Sequence, residues 1–203
     1  MAENKLYGEL ENFSYALGMS IAGNLIQSGV NTVNPELFLN GFKDVFKGNK
    51  PLIHPEEANA ILEEFIGKLN QNKSTGNLEE GLKFLAENRK KKGVIELPSG
   101  LQYMVLSEGD GEIPTSTDQV KCHYHGTLID GTVFDSSVER GQPAVFPVNG
   151  VIQGWVEALQ LMSTGSKWRL FIPSELAYGS HGAGGAIGPH STLIFDVELL
   201  KII

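Results

Sequence analysis

The stretch YHGTLIDGTVFDSS, residues 124–137, puts Tyr124, Phe134 and Asp135 in one short segment. Asp130-Gly131 between them is a dipeptide that favours a tight hairpin turn. An aromatic, a carboxylate and no activated nucleophile suit binding and polarisation better than covalent chemistry. Asp135 ahead of Ser136 and Ser137 also fits a plain turn cap. His123 and His125 alternate with Cys122 and Tyr124, so with Lys121 they share the opposite face of a strand. Two histidines at that spacing could ligate a metal, but no third ligand is evident and a solvated face is the simpler reading. Ser136, His181 and Asp196 have the types of a hydrolase triad but lack a nucleophile-elbow sequence. The glycine-rich GSHGAGGAIG, residues 179–188, has no following Lys-Ser/Thr and opens no helix, which argues against a phosphate cradle.

These residues lie in a chain of 203 residues that is 41% hydrophobic, enough for one sizeable core and a second smaller one. Its formal net charge is −8. Residues 1–93 carry 11 basic and 12 acidic side chains, and residues 94–203 carry 5 and 12. An acidic second half does not track phosphates, so nucleic acid is not an expected partner. The single cysteine, Cys122, excludes an internal disulfide and reads as a small core residue. No run reaches the roughly 18 apolar residues of a membrane span, and MAENKLYGELENF lacks the basic-then-apolar order of a signal peptide. The reading is therefore cytoplasmic, or periplasmic or cell-surface if an export signal has been trimmed.

The first half reads as helical. Phe13, Leu17, Ile21 and Leu25 recur every four residues, with Ala16, Gly18, Ala22 and Gly23 allowing close helix approach. Asn34 and Pro35 open a second helix with a stripe of Phe38, Phe42, Val45 and Phe46. Pro55 opens a third, striped by Ala58, Ile61, Leu62, Phe65 and Leu69. From 55 to 92 the pattern allows one helix of about 57 Å. A break at KSTGN, with Asn77 and Glu80 as a fresh capping box, is the other reading. The cations of ENRKKKG and Gly93 beyond them mark the C-terminal end. Three such helices bury little alone, and a second copy of the chain is the economical partner.

After Pro98 the grammar changes to strands: GLQYMVL, DQVKCHYHGTL, TVFDSS, AVFPV, SKWRLFIP and STLIFDVELLKII. Only VIQGWVEALQLM is helical there, with Trp155, Ala158, Leu159 and Met162 on one face turned toward the sheet. The fold class is α+β: an antiparallel sheet with one helix, preceded by an all-α module.

Residues 120–200 resemble the FKBP-type peptidyl-prolyl isomerase domain through YHGTLIDGTVFDSS, VIQGW, ALQLMSTGSKWRLFIPSELAYG and GPHSTLIFDVELL, in that order. With SYALGMSIAGN, GNK and LPSGLQY ahead of it, the whole chain is similar to the Mip-like and 22 kDa-type bacterial members, which are V-shaped homodimers. The resemblance implies a half-barrel sheet, a helical dimerisation domain at 1–72, a helical connector at 73–93 and an isomerase domain at 94–203. It implies an enzyme that speeds rotation about Xaa-Pro bonds in unfolded or partly folded polypeptides, with a folding-helper role. Homodimerisation through the N-terminal helices, immunosuppressant macrolides as further ligands and no cofactor or metal are also implied. An X-Pro bond crosses a barrier of ~18–20 kcal/mol, and a catalyst need only bind the twisted amide better than either planar form.

By position, the resemblance makes Trp155 the floor under the proline ring, with Tyr124, Phe134, Phe146, Val151, Ile152 and Phe195 as walls. Tyr178 would donate to a substrate carbonyl, Asp135 would orient Tyr124 and Arg140, and Ile187 would close the flap. Trp155, Phe134 and Phe195 also fit a plain core; the ordered motifs favour the site. The pattern departs at the rim, where Ala144 replaces a usual phenylalanine, Gly150 stands near a usual glutamate, and Ala183 and Ala186 replace larger flap residues. Two readings compete with the dimeric isomerase. One is a chaperone or macrolide-binding module with incidental activity, and the other a monomer whose helices fold back on the domain.

Overall fold

The computed structural model describes residues 8–203; the first seven residues, with the start on which the export-signal reading partly rests, lie outside the described residues. Three helices come first: α1 (Glu9–Gln27), α2 (Pro35–Lys47) and α3 (Pro55–Asn88). The side chain of Asn34 caps α2 by accepting from the backbone N–H groups of Glu36 and Leu37, both at 3.1 Å. Pro35 follows the cap, and Gly48 ends the helix at φ +65°. These are the start and stop devices the sequence carries. No residue of α1 or α2 is buried within the single chain. The chain divides into two compact units that meet between Gln71 and Asn72.

α3 decides between the two readings of the 55–92 stretch and shortens the expected helix. It runs unbroken through KSTGN, so Asn77 is a mid-helix residue rather than a cap. It ends at Asn88, four residues before the expected end, and the cations of the 89–92 run fall beyond its last turn. Its last turn is tied to the sheet by a polar knot. Buried Asn88 donates to Gln102 Oε1 at 3.0 Å, and Gln102 donates to the Leu85 carbonyl at 3.0 Å and to Glu96 at 2.9 Å.

The second unit holds an antiparallel sheet of seven strands: β1 (Val94–Glu96), β2 (Gln102–Ser107), β3 (Gln119–Leu128), β4 (Val133–Ser136), β5 (Ala144–Pro147), β6 (Lys167–Ile172) and β7 (Leu193–Ile202). The order is β1-β2-β6-β7-β3-β4, and β5 pairs with the other end of β3. β1 is an addition to the strands expected from sequence. Along β7, Leu193, Phe195, Val197 and Leu199 are buried and alternate with half-exposed residues, the period-2 pattern of a strand with one face in the core. Between β5 and β6 runs α4 (Gln153–Leu159), which presents Trp155, Ala158 and Leu159 to that face, with Met162 just beyond its end. α4 can lie close to β6 because position 154 is glycine: a Cβ there would meet Ile172 Cγ2 at 2.5 Å. The α+β expectation holds.

Candidate active site

The hairpin of β3 and β4 positions the first site residues. Asp130 Oδ1 accepts from the Thr132 N–H at 2.8 Å, and Gly131 takes φ +87° in the turn. This fixes the register in which Asp135 lies opposite Gly126, and Gly126 opposite Phe195 on β7. Gly126 is buried, and a Cβ on it would come within 2.7 Å of both the Phe134 and Phe195 rings. The missing side chain is what lets those two rings meet edge-on, 5.3 Å apart at 82°.

Trp155 is the centre of the cluster and is 4% exposed. Tyr124, Phe146 and Phe195 approach it at 5.5, 5.4 and 5.2 Å with interplanar angles of 84°, 70° and 86°. Aromatic pairs favour such edge-to-face contacts because a ring's positive edge meets its neighbour's negative face. Above them lies a cavity of about 600 Å³. Its lining includes Tyr124, Phe134, Asp135, Phe146, Val151, Ile152, Trp155, Tyr178, Ile187 and Phe195, all singled out from the sequence. Arg140, the remaining one, stands outside the lining and acts on it through two partners. Gly150, Ala183 and Ala186 of the expected rim also line the cavity, as does Gly184 of the glycine-rich loop, whereas Ala144 lies outside the lining.

Polar groups sit on one side. Tyr124 donates its hydroxyl to Asp135 Oδ2 at 2.5 Å, and Arg140 donates to Asp135 Oδ1 and, at 2.9 Å, to the Tyr124 oxygen. The Arg140 guanidinium lies 5.6 Å from the Tyr124 ring centre. Burial pushes the Asp135 carboxyl up, but the hydrogen bonds from Tyr124 and Arg140 and the charge of Arg140 outweigh it, holding the group below the usual carboxylate range. Burial first, and then the bond to Asp135, raises the Tyr124 phenol above its usual value. Tyr178 is 40% exposed at the cavity mouth, and its hydroxyl bonds to none of the described residues. A short bridge in which Ala183 and Ile187 exchange backbone hydrogen bonds at 2.9 and 3.0 Å shapes the flap.

The competing constellations come apart. His123 and His125 bond to the hydroxyls of Ser137 and Ser136 at 3.1 and 3.0 Å. Asp196 pairs with Arg169 at 2.6 and 2.7 Å, so Ser136, His181 and Asp196 form no triad. Among the described residues no three His, Cys, Asp or Glu side chains are grouped to hold a metal ion.

A concave aromatic box with a few oriented polar groups and no nucleophile can hold an apolar ring and turn a bond beside it, and comparison with known proteins names the class that does this. A family model described as FKBP-type peptidyl-prolyl cis-trans isomerase matches residues 110–200, and one described as the domain amino terminal to it matches residues 10–105. The chain belongs to the FKBP-type peptidyl-prolyl isomerase family and is an enzyme acting on the Xaa-Pro bonds of polypeptides. It is 49% identical to the FKBP-type 22 kDa peptidyl-prolyl cis-trans isomerase of Escherichia coli K12 over 94% of each chain. It is 40% identical to the outer membrane protein MIP of Legionella longbeachae, over 95% of this chain and 85% of the relative. The crystal structure of FkpA from Escherichia coli superposes with a TM-score of 0.71 at 33% identity, covering 98% of each chain. The family and these names do not favour the binding-module alternative. Nor do they support the cytoplasmic expectation: one relative is named for the outer membrane, and the structure adds only that no described helix is long and apolar enough to cross a membrane.

Proposed function

We propose that the aromatic cavity is where the isomerase reaction takes place, with Trp155 as the floor under the proline ring. The observation that carries this is the buried indole, edged by three rings at the base of a cavity of about 600 Å³. Tyr124, Phe134, Phe146, Val151, Ile152 and Phe195 are the walls and Ile187 the closing side. No bond is made or broken. A planar amide is stabilised by resonance that separates charge, and water solvates that charge better than an aromatic wall does. The twisted amide has lost the resonance and the charge separation, so an apolar box binds it in preference to either planar form.

Tyr178 donates its free hydroxyl to a carbonyl of the bound peptide and fixes its place. That carbonyl is best not the rotating amide's own, because a donor there reinforces the resonance that catalysis must weaken. Asp135 acts through Tyr124 and Arg140, as an electrostatic and orienting group. The test is cis-to-trans exchange of a short Xaa-Pro peptide in a protease-coupled assay. Tyr178→Phe is expected to lower kcat/KM by about 2- to 12-fold, the range of one hydrogen bond. Trp155→Leu is expected to lower it by more than about ten-fold, as loss of a whole aromatic surface does. Wild-type rates in both folded variants would overturn the assignment.

The division into a dimerisation domain at 1–72, a connector at 73–93 and an isomerase domain at 94–203 belongs to the same proposal, and so does assembly as a homodimer. In the single chain Phe13, Phe38, Phe46, Leu62 and Phe65 are all exposed, Phe46 at 74%, and Phe42 and Phe46 stack at 4.3 Å. Apolar surface on this scale favours a second copy over water. Two cavities on one assembly hold a single unfolded client at two points and raise its effective concentration, which is the physical basis for a folding-helper role. Macrolide rings are a further ligand class that the apolar lining suits, over a rim reduced in contact area at Gly150, Ala183 and Ala186.

A further inference from the structure

The flap carrying Ala183, Ala186 and Ile187 is a loop whose neck is closed by the His190 N–H donating to the Gly179 carbonyl at 2.8 Å. Tyr178 stands at one end of that neck. At the other, His190 has φ +54° and is the one non-glycine with positive φ among the described residues. A side chain in that conformation persists only where its surroundings hold it. On either side of it, Asn77 of α3 makes the hold: its Nδ2 donates to the Pro189 carbonyl at 2.7 Å and lies 3.4 Å from Ser191 Oγ. Ser191 Oγ in turn donates to the Gly188 carbonyl at 2.9 Å.

The contact is a row rather than a point. Lys73, Asn77 and Gly81 are spaced by four and so share one face of α3. A Cβ on Gly188 would meet Asn77 Nδ2 at 2.9 Å and Lys73 Cε at 3.2 Å, and a Cβ on Gly81 would meet Thr192 Oγ1 at 2.4 Å. Helix and flap stem touch so closely that a side chain at either glycine would have to displace its neighbour, Thr192 at Gly81 and the ends of Asn77 and Lys73 at Gly188. The residue that the sequence offers as a helix cap has its backbone satisfied by the continuous helix and its amide side chain free to reach across.

We propose that Asn77 is a positioning residue for the isomerase reaction. It pins Pro189 and Ser191, fixes the strained His190 between them, and so holds Ile187 over the cavity and Tyr178 at its mouth. The proposal rests on the cavity being the site of the reaction. It makes part of the site's order the property of a helix outside the sheet.

The test uses the full chain with Asn77→Ala, with Asn77→Asp, which keeps the size but turns the donor into an acceptor facing the Pro189 carbonyl, and with Gly81→Ala, which crowds Thr192 from an independent point. Hydrogen exchange is followed at the Ile187 and His190 amides and across β2, β6 and β7, beside kcat and KM on Xaa-Pro peptides. Asn77→Ala is expected to speed exchange at the two flap amides by about five-fold, the size of one net hydrogen bond, with the sheet unchanged and KM raised more than kcat is lowered. Asn77→Asp should be at least as severe, and Gly81→Ala should move the same amides. Wild-type exchange and KM in Asn77→Ala would overturn the proposal, and so would a uniform rise across the sheet with a lower melting temperature. Trp155→Leu run alongside separates the failures: if it too keeps its activity the cavity assignment is wrong, and if it alone loses activity only the role of Asn77 is.

Discussion

Gly126→Ala tests whether the aromatic box is a packed object or a loose lining. The new methyl would lie 2.7 Å from a carbon of Phe134 and 2.7 Å from a carbon of Phe195, whereas carbon atoms rest about 3.5–4.0 Å apart. Each ring would have to retreat by about 1 Å. Neither has room to do so freely. Gly126 lies in register between Asp135 of β4 on one side and Phe195 of β7 on the other, so its backbone is held from both sides. Phe195 is already 5.2 Å from Trp155 and 5.3 Å from Phe134. Overpacking of this kind costs about 1–3 kcal/mol, or roughly 4–12 °C of melting temperature for a domain of this size. The displaced rings narrow the cavity above Trp155, and misplacement of about 1 Å in a site can lower rate 100-fold, so a fall in kcat/KM of at least about ten-fold is expected. Urea unfolding followed by tryptophan fluorescence gives the first quantity and protease-coupled peptide isomerisation the second. A variant with the wild-type urea midpoint and the wild-type rate would refute the claim that the glycine seats the two rings.

The carboxyl of Asp135 is held low in the folded state, so its stabilising contribution is present above the unfolded value of about 3.9 and is lost as pH falls through the folded value. Stability should show no step from this group between pH 5 and 8 and should decline below about pH 4; in Asp135→Asn that part of the acid limb should vanish, read from urea midpoints across the range. Burial pushes the Cys122 thiol up to about 12, so iodoacetamide at pH 8 should leave the folded protein unlabelled and modify it once urea unfolds the sheet, as mass spectrometry would record. Phe42→Glu places a charge in the exposed apolar stripe of α2, and on the proposed homodimer sedimentation should give twice the chain mass for the wild type and the mass of one chain for the variant at the same concentration; equal masses would remove the proposed interface from that stripe.

Much of this fold can be read from the sequence because its signals are local. The Asn34-Pro35 start, the Asp130-Gly131 turn and the alternation along 193–199 each act within a few residues of themselves, and each appears where its chemistry places it. The cavity lining was legible for another reason: ordered motifs carry the positions of rings that spacing alone would assign to a core. What escaped depends on distant partners. Three-residue β1 has too short a pattern to register and exists because β2 offers it an edge. The steric demands at Gly126 and Gly154 come from Phe134, Phe195 and Ile172, none of which is visible from a glycine's neighbours. Asn77 has the local grammar of a cap, and tertiary contact with the segment at 188–192 overrides it.

The same distinction bears on Asp135. A carboxylate in a catalytic cavity invites a general-base reading, and composition cannot decide it. Here both of its oxygens are engaged, one by Tyr124 and one by Arg140. Those bonds lower its proton affinity, the opposite of what a base working near neutrality requires. Rotation about an amide moves no proton, so nothing in the reaction asks for one. The interactions are better suited to holding the Tyr124 ring edge-on to Trp155 while keeping a half-buried phenol and a half-buried carboxylate satisfied. Asp135→Asn retains an acceptor for Tyr124 and weakens the pairing with Arg140, so on this reading it should slow isomerisation without introducing a new pH dependence. A rate that in the wild type rises with a single ionisation between pH 4 and 7, and in the variant does not, would return the base to consideration.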